Sequence, residues 1–77
     1  MPRFYFHLRD GDTYDEDADG VELPDIDNAR TEAVVAAREI LAEQITLGIP
    51  VGDQVFEVTN EEGLIVFALA FRNILHS

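Results

Sequence analysis

The chain has 77 residues, enough for one domain spanning 1–77 and close to the lower limit at which a single core holds a fold. Sixteen acids stand against five arginines, with no lysine, for a formal charge of −11, which argues against nucleic-acid backbones and anionic membrane surfaces as partners. The absence of cysteine excludes disulfides and thiolate metal sites, and 47% hydrophobic residues set the chain outside the disordered class.

The N-terminus, Met1-Pro2-Arg3-Phe4, lacks the charged, apolar and small-residue order of a signal peptide, and no apolar run reaches the length of a membrane span. A cytoplasmic protein is therefore expected. Arg3 to Arg9 reads as a strand: Phe4, Phe6 and Leu8 alternate with Arg3, Tyr5, His7 and Arg9. Asp10-Gly11-Asp12 ends it with turn chemistry, and Asp12 to Asp19 is too acidic to favour regular structure. Val21 to Leu23 is a short second strand returning along the first.

Asp25 to Leu47 is the one stretch with sustained helical periodicity. Ile26, Ala29, Ala33, Ala36, Ala37, Ile40 and Leu41 fall on one stripe, while Arg38, Glu39 and Glu43 lie away from it. Asp25 or Asp27 suits the free amides of the first turn, Gly48 the C-terminal stop, and Pro50 forbids continuation. Ile49 to Gln54 is a loop. Val55 to Thr59 and Leu64 to Phe71 are strands joined by Asn60-Glu61-Glu62-Gly63, and Arg72 to Ser77 is a tail expected to fray.

These elements predict an α+β domain of order β-β-α-β-β, with a single helix packed on one face of a four-stranded mixed sheet. The most apolar strands, first and last, are expected inside the sheet, giving the spatial order 2-1-4-3 with those two parallel neighbours. The core should contain Phe4, Phe6, Leu8, Ile26, Ala29, Ala33, Ala36, Ala37, Ile40, Phe56, Val58, Ile65, Phe67, Leu69 and Phe71.

The opening Met1-Pro2-Arg3-Phe4-Tyr5-Phe6-His7, the run Gly20-Val21-Glu22-Leu23-Pro24-Asp25, Ala29 and Ala33 in the helix, and Glu57-Val58-Thr59-Asn60-Glu61-Glu62-Gly63 together resemble a family of small bacterial proteins classed as a domain of unknown function. The resemblance covers nearly the whole chain. Its motifs are packing and turn features, and it implies no activity, cofactor or catalytic residue.

The chemistry on offer is sparse. The only serine is Ser77, no base sits beside any of the four threonines in a recognisable motif, and neither a P-loop nor G-x-G-x-x-G is present. No enzyme is expected. His7 reads as a sheet histidine at a surface or interface, and His76 as part of the tail. Asp15, Asp17, Asp19 and Gly20 reproduce the first half of a calcium loop, but Ile26 stands at position 12, where a bidentate Glu is required. Three readings follow: a non-enzymatic interaction module, a calcium- or metal-responsive domain whose acidic loop Asp15–Gly20 orders on binding, and an acidic mimic occupying a basic partner. The first leads. One helix covers one sheet face, so Tyr5, His7, Val66 and Ala68 are left for a homodimer contact.

Overall fold

A computed structural model of the chain describes residues 1–75; His76 and Ser77 lie outside the described residues. The order is β1 (Arg3–Asp10), β2 (Thr13–Asp15), β3 (Val21–Glu22), α1 (Ile26–Leu47), β4 (Val55–Thr59), β5 (Ile65–Ala70) and α2 (Phe71–Leu75). The α+β class and the single long helix over one sheet match the sequence reading. The strand order differs in detail.

The sheet runs β2-β1-β4-β5, with β3 pairing the other end of β1, and every pairing is antiparallel. The expected parallel contact between the first and last strands is absent, because Val55–Thr59 takes the place beside β1 and β5 lies at the edge. Alternation explains the misreading. The second apolar row of β5 includes Ala68 and Ala70, whose small side chains remove little surface from water, so the strand does not require cover on both sides.

A strand missed by sequence lies inside the acidic segment. Thr13–Asp15 folds back on β1 with Asp10 opposite Thr13, which leaves Gly11 and Asp12 as a two-residue turn. Gly11 at its first central position has φ 60°, as a II′ hairpin requires. The expected Val21–Leu23 strand is present as β3, and the Leu23 amide adds a bond to the Pro2 carbonyl at 3.0 Å.

Helix α1 begins and ends where its capping residues dictate. The Asp25 carboxylate accepts the Asn28 amide at 2.8 Å. At the other end Gly48 is left-handed, its N–H reaching the Ile45 carbonyl while that of Ile49 reaches Gln44, the paired bonds of a Schellman stop. Twenty-two residues make a rod of about 33 Å, comparable to the 38 Å long axis of the molecule. Its far end therefore leaves Ile45 and Leu47 exposed.

The buried stripe is Ala29, Ala33, Ala37 and Leu41, laid against Phe4, Phe56, Val58, Phe67 and Phe71. Alanines let the helix backbone approach while phenylalanines of the sheet fill the gap. Phe6, Leu8, Ala36, Ile40 and Leu69 pack around this centre partly buried. Two expected core residues are not in it. Ile26 is 43% exposed at the first turn of the helix. Ile65 is 61% exposed because β4 and β5 slip by one residue between Val58 and Thr59. A bulge inverts side-chain parity, so Ile65 turns out and Val66 rests against the core. Beyond β5, Phe71, expected to end the last strand, and the described part of the expected tail form α2, and Phe71 is fully buried.

Candidate functional site

The sheet face away from α1 carries a connected row of polar and aromatic groups. Alternation along β1 places Tyr5, His7 and Arg9 there, and the antiparallel register sets Thr59 opposite Tyr5 and Glu57 opposite His7. Tyr5 and His7 stack with ring centroids 6.3 Å apart, and Tyr14 of β2 lies 5.7 Å beyond His7. The Arg9 guanidinium sits 4.5 Å over the Tyr14 ring and bonds Glu57 at 2.6 Å. That bond holds the Glu57 carboxyl below its ordinary range and raises Arg9 above its own.

His7 is held at both ring nitrogens. The Asp17 amide donates to Nδ1 at 3.1 Å, and Nε2 lies 3.0 Å from Thr59 Oγ1. A backbone N–H can only donate, so Nδ1 carries no hydrogen, and Nε2–H is the donor to the threonine hydroxyl. A histidine that activates a hydroxyl must accept its proton. His7 does the reverse.

Asp17, which sequence reasoning offered as a metal ligand, is engaged with backbone amides in this structure. Its carboxylate accepts the Phe6 amide at 3.1 Å, Gly20 at 3.2 Å and Asp19 at 3.3 Å. β2 pairs one end of β1 and β3 the other, so the amide of Phe6 falls in the gap between them. One side chain fills that gap. Burial works to raise the Asp17 pKa, but the amides of Phe6, Gly20 and Asp19, with His7, outweigh it and hold the carboxyl below the usual range. Gly20, at φ 69°, completes the loop, where a Cβ would meet Arg3, the Phe4 carbonyl and Tyr5 at 2.9 Å.

Asp15 belongs to β2 opposite Leu8, and both Asp15 and Asp19 are exposed. Among the described residues no three His, Cys, Asp or Glu side chains converge in a way that could hold a metal. Of the expected interface, Tyr5 and His7 are half-buried in the aromatic row, Ala68 is exposed opposite Glu57, and Val66 leans on the core. Sequence reasoning missed the Arg9–Glu57 pair and Tyr14. The shared parity of Arg9 and Glu57 was a readable signal only once β1 and β4 were known to be neighbours.

A two-layer antiparallel domain, backed by one helix and carrying an aromatic and polar row on its open face, is the class these features define. The chain belongs to the family described as Domain of unknown function (DUF6894), whose model matches residues 3–72. No curated protein and no solved structure matches it. Among the described residues no helix is long and apolar enough to cross a membrane.

Proposed function

We propose that the protein is a small non-enzymatic interaction module that works as a homo-oligomer joined through its sheet. The observation that carries the reading is the one-sided cover: α1 shields the face of Phe4, Phe56 and Phe67, while Tyr5, His7 and Ala68 face away from it. Burying more of a small sheet enlarges a core of marginal size. The hydrogen bonding of His7 favours a structural role over acid–base work, and Asp17, engaged with three amides, is a poor calcium ligand in this loop.

Sedimentation across a concentration series tests the reading. A dimer is expected at tens of micromolar, and Ala68→Glu should weaken it by adding charge to a chain already at −11. A parent that stays monomeric throughout rejects the proposal.

A further inference from the structure

The two edges of the sheet are unlike. One is made of β2 and β3, three and two residues long, and both carry an acid, Asp15 and Glu22. Asp17 closes the gap between them. Short, charged and interrupted strands are what keep an edge from pairing with another chain. The opposite edge is β5, Ile-Val-Phe-Ala-Leu-Ala, six residues without a charge, a proline or a glycine. Among the described residues no strand pairs its outer side. Leu64 and Ile65 at its start are 60% and 61% exposed.

We infer that the outer edge of β5 pairs antiparallel with β5 of a second copy, making one continuous sheet across a two-fold axis. This rests on the proposed self-association and sets its seam at the edge of the sheet in place of the open face. Charge selects the occupant. A seam between two chains of −11 must avoid their acids, and β5 is an uncharged strand set between Glu62 and Arg72. Antiparallel pairing centred on Ala68, which sets Ala68 opposite its own copy, brings the Arg72 end of each copy beside the turn that holds the partner's Glu62. Both ends of the seam then join opposite charges, where a parallel pairing would set like against like. Arg72 is exposed and meets only Asp53 in its own chain among the described residues, so its guanidinium retains donors for a second carboxylate. An axis perpendicular to the sheet keeps both α1 helices on one side and merges the two aromatic rows into one surface.

Charge exchange and single-cysteine crosslinking test the geometry. Arg72→Glu should raise the dimer dissociation constant about tenfold, since two pairs become repulsive. Adding Glu62→Arg to it should restore association, and adding Glu43→Arg on the exposed face of α1, an equal change of net charge, should not. The chain has no cysteine, so Ala68→Cys and Tyr5→Cys report alone. Oxidation should link the first and spare the second. Crosslinking at both positions, or a dimer indifferent to Arg72→Glu, overturns the edge pairing and leaves sheet-mediated association standing. A parent monomeric at tens of micromolar overturns both.

Discussion

Asp17 shows how one carboxylate can stand in for a strand. Its two oxygens take three backbone amides, and its own amide fixes the tautomer of His7. The charge itself contributes, because amides bond an ionised acceptor more strongly than a neutral one. Asp17→Asn keeps the shape and loses the charge, and should cost about 1–2 kcal/mol at neutral pH. The sign of the pH effect follows from the lowered pKa. The unfolded carboxyl titrates near about 4, so the stabilisation is complete above that pH and disappears as pH falls through the lower folded value. Urea midpoints measured from neutral to strongly acidic pH should fall less steeply for Asp17→Asn than for the parent. Parallel curves would show that Asp17 contributes nothing to acid sensitivity.

At the scale of elements, the helix was legible and the sheet only in part. Capping chemistry and the three-and-four spacing specified α1 to within a residue, because both signals are local. β2 was hidden since Thr13-Tyr14-Asp15 has no apolar alternation of its own; Gly11 and the pairing partner make it a strand. The Asp17 clamp was equally hidden. D-x-D-x-D-G reads as a cation loop until the free amide of Phe6 is known to lie beside it. The bulge at Val58–Thr59 had no sequence mark either, and it alone exchanges the roles of Ile65 and Val66. The alanine stripe gives the sharpest test of helix placement. Ala33 is wholly buried against the sheet, so Ala33→Leu should cost about 1–3 kcal/mol by overpacking. Ala42→Leu, on the exposed side, should stay within about 0.5 kcal/mol of the parent. Equal denaturation midpoints for the two variants would mean the stripe is misassigned.

Across the whole molecule, the central strand pair joins residues from opposite ends of the sequence. His7 and Thr59 touch across 52 positions, and Arg3 is tied to Glu61 across 58. Such closure must be bought in chain entropy before any pairing rewards it, which slows folding relative to helical proteins of the same size. Refolding followed by stopped flow should therefore fall in the millisecond-to-second range, and a fragment of residues 1–54 should not fold. A compact, cooperatively melting fragment would disprove this dependence. The consequence reaches back to synthesis. β1 leaves the ribosome ahead of its principal partner β4, which is translated only after α1 and the loop that follows it. Phe4, Phe6 and Leu8 thus wait without their β4 neighbours until α1 and that loop have been made. The growing chain is then most vulnerable to aggregation along β1, in the interval before β4 exists to pair with it.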